Sequence, residues 1–470
     1  MRLFQHVTSR LTILVFVFTG SFTNTSLAET PDIAAIKDER SLSNPSYILG
    51  QYWFRKLNGS RALIDFPPAY EYFRDAIARL TPQTRLYNKT VEMTLLNSTQ
   101  SNAFVIPGNH MFIYSDILEM INNENMFYGL LSHELAHLEL KHYERQKQQS
   151  SEELSKALVL LGAGIAAALS GAGGDATTAL WLGGIANQAE NTLKYSREQE
   201  QEADRRGREY LTAAGLPEEG MTQLFQAFFK KALGRPTLEF LSTHPSPNNR
   251  LADSLTFEKS NDIFSTATNP EFNYFRASVL AYRAGLNDQP YDYLGQQITD
   301  INASNFAKAL FSYLINQPER SLTLLSEITD SNLYTEYLKA LSLIKTGESD
   351  QAIKVIQYQL DLAPKNLLFA TLKAQMSHTK ALDFGTEYLY EKRLIWRANI
   401  QFYQHSNNIP MALYYRSLLD FSQGKTKEAQ FLIRRAKNEA FNNDKEVIIK
   451  SSERFKLIKE AETHQDLKDD

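Results

Sequence analysis

The stretch Ser132-His133-Glu134-Leu135-Ala136-His137 carries two imidazoles four residues apart, with a carboxylate beside the first. It lies in an apolar run whose Phe127, Leu130, Leu131 and Leu138 recur at helical spacing. On a helix, residues i and i+4 share a face, so His133 and His137 can offer ring nitrogens to one metal ion. Glu134 falls one residue round, beside the position a solvent molecule would take. That pattern suits a zinc site in which the metal lowers the pKa of water and the carboxylate accepts the proton as a peptide carbonyl is attacked. A chance match on a surface helix is the alternative, and later segments weigh against it.

A third ligand has candidates in Tyr195-Ser196-Arg197-Glu198-Gln199-Glu200-Gln201-Glu202-Ala203-Asp204. By composition alone Glu198, Glu200 or Glu202 could serve. Glu200 and Asp204 are i,i+4, so one could ligate while the other orients a ligand. The chain has no cysteine. Thiolate ligands, disulfides, cysteine nucleophiles and lipidation at cysteine are therefore excluded, and a zinc must be held by histidine and carboxylate, the pattern of catalytic sites. His142 falls outside the i,i+4 pattern and reads as solvated. Thr243-His244-Pro245-Ser246-Pro247 is a loop stiffened by two fixed proline φ angles.

The elements that must position these groups read as follows. Tyr47 to Leu57 and Ala69 to Leu80 have helical patterning. Val91 to Leu96, Ala103 to Ile106 and Met111 to Tyr114 are rich in strand formers, with a turn at Pro107-Gly108-Asn109. Asp116 can cap a short helix, and Asn122 or Asn123 the helix bearing His133 and His137. The acidic helix runs to about Ala214, where Gly215 and Pro217 stop it, and another helix spans 221–233. Residues 156–187 are Ala-rich and apolar but broken by Gly171-Ala172-Gly173-Gly174-Asp175. Neither piece is long enough to span a bilayer comfortably. They read as a buried helix pair; a mobile apolar flap making peripheral contact with membrane or unfolded substrate is the alternative.

At 470 residues the chain needs two or three domains. Its 43% hydrophobic and 22% charged residues are those of a folded protein, and a formal charge of -4 argues against nucleic acid as partner. Residues 1–28 read as a secretory signal: Arg2 and Arg10, an apolar stretch from Leu11 to Gly20, then Ser26-Leu27-Ala28. After about residue 266 helix follows helix. Gly347 and Ala352, like Gly424 and Ala429, are five apart; Ala340 lies seven before Gly347 and Pro364 twelve after Ala352. This is tetratricopeptide spacing, and one such unit cannot bury its own face, so three or four helix pairs are expected to stack.

Taken together, the H-E-x-x-H helix, the E-x-x-A-D helix, the S/T-H-P loop and the repeat tail resemble metallopeptidase family forty-eight, in particular its periplasmic members that act on outer-membrane protein assembly. The resemblance implies a mainly α fold with a small β-sheet. A gluzincin-type zinc metalloprotease domain over 29–262 would be followed by a tetratricopeptide-like α-solenoid over 263–470. It implies one zinc per chain held by His133, His137 and Glu200, with Glu134 as general base and Asp204 behind the ligands. His244 would be the loop histidine able to take the open position, and Arg250 would close that motif. Ala103, Phe104, Val105 and Ile106 would form the edge strand on which substrate lies as an added strand. The implied partners are unfolded or misassembled outer-membrane proteins and, through the repeats, the β-barrel assembly machinery. The chain departs from the family at Gly108-Asn109-His110, where paired glycines are usual. Leu140 and Tyr143 exclude the zincin class that has glycine and histidine there. A non-proteolytic scaffold with a relic protease fold is the competing expectation, and an integral-membrane protease of the same family a further one.

Overall fold

The computed structural model describes residues 40–149, 195–232, His244, Arg250, 269–378, 380–441, 443–465 and Leu467. The expected signal segment, most of the lead-in, the apolar pair at 156–187 and the domain boundary at 262–263 lie outside these residues. So does the loop at 242–250 apart from His244 and Arg250.

Helix α1 (Pro45–Asn58) begins where the Asn44 side chain accepts from the amides of Ser46 and Tyr47, with proline at the first helical position. Helix α2 (Pro67–Leu80) starts on a proline pair. Strands β1 (Glu92–Leu96), β2 (Ala103–Ile106) and β3 (His110–Tyr114) form one sheet in the order β1-β3-β2. β1 runs parallel to β3, and β2 runs antiparallel to it with Ile106 opposite His110. The β2–β3 turn needs two left-handed residues, which Gly108 (φ 92°) and Asn109 (φ 61°) supply.

Both faces of the sheet are buried, and the two-residue period divides them. Met93, Leu95, Ala103, Val105, Met111 and Ile113 join the main core beneath α2 and the metal-site helix. Leu96, Phe104, Ile106, Phe112 and Tyr114 pack against Tyr52, Trp53, Phe54 and Leu57 of α1. β2 has a strand neighbour on one side only among the described residues.

Next come α3 (Ile117–Met120), α4 (Glu124–Glu139), α5 (His142–Gln149), α6 (Arg197–Ala213) and α7 (Glu219–Ala232). Asp116 precedes α3 but makes no side-chain cap. Its carboxylate instead meets Lys231 at 2.9 Å and Arg283 at 3.2 Å.

From residue 270 the chain is helical: α8 (Pro270–Ala284), α9 (Pro290–Gln297), α10 (Ile301–Leu314), α11 (Pro318–Ser326), α12 (Leu333–Thr346) and α13 (Ser349–Leu362). Then follow α14 (Leu367–Ser377), α15 (Leu389–His405), α16 (Ile409–Ser422), α17 (Thr426–Glu439) and α18 (Asn443–Thr463). Each packs on its successor. Gly347 (φ 86°) and Gly424 (φ 69°) sit at tight turns, and Ala340, Ala352 and Ala429 are fully buried. Among the described residues no helix is long and apolar enough to cross a membrane.

The two halves share their core. Phe127 on α4 lies 5.0–6.2 Å, ring to ring, from Tyr72 and Phe73 of α2 and from Phe272 and Phe275 of α8. Phe66 likewise meets Phe306, Tyr334 and Tyr337. The end of the chain returns to its beginning: Arg55 pairs with Glu462 and lies over the Phe421 ring at 4.6 Å.

Candidate metal centre

Helix α4 starts at Asn123, whose side chain accepts from the Met126 amide at 2.9 Å. It is buried continuously from Met126 to His137, as a helix packed on every side must be. The opposing helix α6 begins with a capping box in which Ser196 and Gln199 satisfy each other's amides. This fixes Glu200 in its first turn. The helices approach closely because position 207 has no side chain: a Cβ on Gly207 would sit 3.1 Å from the Ser132 carbonyl carbon and 3.2 Å from the His133 amide nitrogen. Glu200 is thereby carried over His133 and His137.

Four donors converge, all of them buried: His133, His137, Glu200 and His244. His133 Nε2 lies 3.0 Å from His137 Nε2 and 3.2 Å from His244 Nδ1. The Glu200 carboxylate oxygens stand 3.5 Å from His133 Nε2 and 3.4 Å from His137 Nε2, and Oε1 is 3.0 Å from His244 Nδ1. Ligands placed tetrahedrally about 2.0–2.1 Å from a zinc ion are separated from one another by roughly 3.3 Å. The donor set and its spacing therefore fit such an ion.

Glu134 strengthens that fit. It is fully buried beside the cluster, and neither carboxylate oxygen has a hydrogen-bond partner. Oε1 lies 3.7 Å from His244 Nε2. A buried carboxylate without partners is costly unless something absent from the protein's own atoms meets it. Burial pushes its pKa up to about 8, against the pull of His133.

Charges around the cluster are arranged in pairs. Asp204 Oδ1 is 2.9 Å from His133 Nδ1, so it orients that ring from behind. Arg250 holds Asp204 through Nε at 2.7 Å and Nη2 at 2.6 Å, reaches Glu200 with Nη1 at 2.7 Å, and packs over Phe225. Burial alone would raise both carboxyls. His244 and Arg250 instead hold Glu200 well below its usual range, and Arg250 lowers Asp204. Burial keeps His137 neutral, the form a ligand needs.

The structure thus separates the three glutamates left open by composition. Glu200 is in the cluster, Glu198 is exposed, and Glu202 points elsewhere, to His142 and Arg145. It also corrects one reading. His142 is not solvated: it is fully buried, with Nδ1 2.8 Å from His137 Nδ1. Helix α4 stops at Glu139 and Lys141 takes φ 51°, which swings His142 back under the site. Tyr195 was likewise missed as a site residue; its buried ring stacks on His137 at 4.0 Å. No periodicity in the sequence signals either.

Comparison with known proteins agrees with this chemistry. Residues 70–256 match the model of peptidase family M48. The β-barrel assembly-enhancing protease of Escherichia coli K12 is 25% identical over 322 residues, covering 67% of this chain and 61% of that protein. A Vibrio cholerae protein bearing the same name, qualified as putative, is 24% identical over 328 residues, 67% of this chain and 66% of its own length. A mitochondrial metalloendopeptidase of Saccharomyces cerevisiae is 30% identical over 183 residues, 37% of this chain and 49% of that protein. The chain spans about three-fifths of the length of the Escherichia coli relative. The donor cluster and Glu134 lie within the matched residues, and the match supports a metalloprotease.

Proposed function

We propose that this protein is a zinc-dependent endopeptidase of the periplasm that removes misfolded or stalled outer-membrane β-barrel proteins and assists their maturation. The observation that carries the reading is the convergence of His133, His137, Glu200 and His244 on one point beside the unpartnered carboxylate of Glu134. His133, His137 and Glu200 would hold one zinc ion. When bound, zinc supplies Lewis acidity, lowering the pKa of water and polarising a carbonyl. Glu134 accepts the proton from the attacking water and delivers it to the leaving amine. Asp204 and Arg250 fix the His133 ring and keep Glu200 ionised.

Substrate would add as a strand along β2, the edge of the sheet, whose neighbour across the core is α4 itself. The tail from α8 onward supports a tetratricopeptide-like solenoid through its successive helix packing, its turn glycines and its buried alanines. Such a surface would dock the barrel-assembly machinery, an assignment supported by the names of the bacterial relatives. Export is supported by the signal-like residues 1–28.

His244 would take the fourth position, where water must enter. As a gate it would hold the enzyme latent until partner or substrate withdraws the loop. The test is turnover of an unfolded barrel protein alongside zinc stoichiometry. Glu134→Gln should keep zinc and lose roughly 10²- to 10⁴-fold in turnover. His244→Ala should raise turnover with zinc retained if the histidine is a gate. A fall in turnover at full zinc would make it a transition-state donor instead. Zinc-free, inactive wild-type protein would overturn the enzymatic reading.

A further inference from the structure

We infer that His142 and Glu202 form a two-residue relay that sets the tautomer and orientation of the metal ligand His137. The inference rests on the zinc-site reading above and adds two residues to it. The two ligand histidines of α4 are backed by different means. His133 has a carboxylate directly behind it, Asp204 at 2.9 Å from Nδ1. Among the described residues His137 has no carboxylate there. Its Nδ1 faces the Nδ1 of His142 at 2.8 Å, and His142 Nε2 faces Glu202 Oε2 at 3.2 Å.

Proton placement along this line is forced. His137 Nε2 points into the donor cluster and must present a lone pair there, so the ring proton sits on Nδ1. That N–H donates to His142 Nδ1, which must therefore be bare. The His142 proton then sits on Nε2 and donates to Glu202. Glu202, also held by Arg145 at 3.0 Å, ends the chain as an ionised acceptor. Each of the two contacts then holds one proton, with a donor on one side and an acceptor on the other.

The surroundings hold the line in place. His142 is fully buried, and Gln199 of α6 donates to its backbone oxygen at 3.2 Å. Tyr195 stacks on His137 at 4.0 Å with an interplanar angle of 21° and packs beside His142 at 6.0 Å. His137 is thus clamped by a ring on its face and a ring on its edge. Groups that orient a metal-bound imidazole from behind typically govern metal affinity by roughly 10- to 100-fold.

Zinc affinity of the full chain, measured by competition with a chromophoric chelator, tests the relay. The imidazole N–H signal of His137 in ¹⁵N-histidine-labelled protein is recorded beside it. His142→Leu fills the space but cannot accept the His137 proton, and should weaken zinc binding roughly 10- to 100-fold with the Nδ1–H signal lost to solvent exchange. His142→Gln can accept with its carbonyl and donate with its amide, and should restore most of the affinity and the signal. Glu202 is 31% exposed, so Glu202→Ala leaves the core untouched, removes the acceptor and should give a smaller loss, even if the leucine variant fails to fold. Unchanged zinc affinity in Glu202→Ala together with a native N–H signal would overturn the relay. So would equal losses in His142→Leu and His142→Gln, which would make His142 a packing residue. Wild-type protein that binds no zinc would refute the metal site itself, a distinct outcome.

Discussion

One buried imidazole remote in sequence from the donor cluster should give the fold an acid-sensitive share of its stability. His110 lies under α1, 2% exposed, stacked on Phe54 at 4.0 Å. The Gln51 amide nitrogen is 2.7 Å from its Nε2, so that nitrogen accepts and the ring must be neutral. Burial, with Arg40 and Arg55 nearby, lowers its pKa from 6.5 to about 3. The unfolded chain therefore takes up the proton first. Stability is complete above about pH 6.5 and is lost as pH falls toward 3. Linkage between these two values gives a loss of about 2 kcal/mol on going from about pH 7 to pH 5. Glu92, opposite His110 in the β1–β3 register, shifts the other way: burial raises it from 4.5 to about 7, against the Leu389 amide and Lys392. The folded state holds that proton more tightly, so Glu92 adds stability as pH falls from about 7 toward 4.5. The same linkage gives Glu92 a gain of about 2 kcal/mol over that range, so the two contributions nearly offset in the wild type and are separated by mutation. Urea midpoints at about pH 7 and pH 5 separate the two. His110→Gln should be about 2 kcal/mol less acid-sensitive than wild type, and Glu92→Gln more acid-sensitive. A His110→Gln difference below about 0.5 kcal/mol, or one of opposite sign, would refute the reasoning.

Arg250→Met leaves Glu200 and Asp204 buried without their cation, and should cost the metal-free protein about 3–5 kcal/mol. The charge of bound zinc should offset part of this, so unfolding midpoints with and without zinc should differ more for the variant than for wild type; equal differences would count against the charge pairing. A chain ending near residue 262 lacks Phe272 and Phe275, which cover Phe127 on α4. It should lose zinc and thermal stability as well as partner docking, and a truncated chain with native zinc affinity and melting temperature would disprove the shared core. Removing zinc with a chelator should abolish turnover and restoring it should recover turnover, as measured on an unfolded barrel protein.

Local rules carried much of the fold. The strand formers of Ala103–Ile106 and Met111–Tyr114, the turn at Pro107-Gly108-Asn109 and a cap at Asn122 or Asn123 each depend on a few neighbouring residues, so all were readable along the chain. The i,i+4 spacing of His133 and His137 was readable for the same reason. Choosing among Glu198, Glu200 and Glu202 was not, because all three lie on one acidic helix. What separates them is the rotation of that helix against α4, set by the Ser196 cap and the close contact at Gly207.

The harder features all depend on contacts between distant segments. His142 sits one residue past a non-glycine left-handed residue, Lys141, and Lys has no special preference for that conformation. Its burial is imposed by α6, and its partner Glu202 lies 60 residues away. The same holds for the tail. Its helices carry repeat spacing, which suggests an appendage folding on its own. Yet Tyr72 stacks on Phe275 at 4.8 Å and on Phe127 at 6.2 Å, so the ring contacts that support the metal-site helix come partly from α8. A shift of α8 would therefore meet Phe127, which lies about two turns before His133 and nearly three before His137 on the same helix. These aromatic contacts and α4 join the tail to the donor cluster.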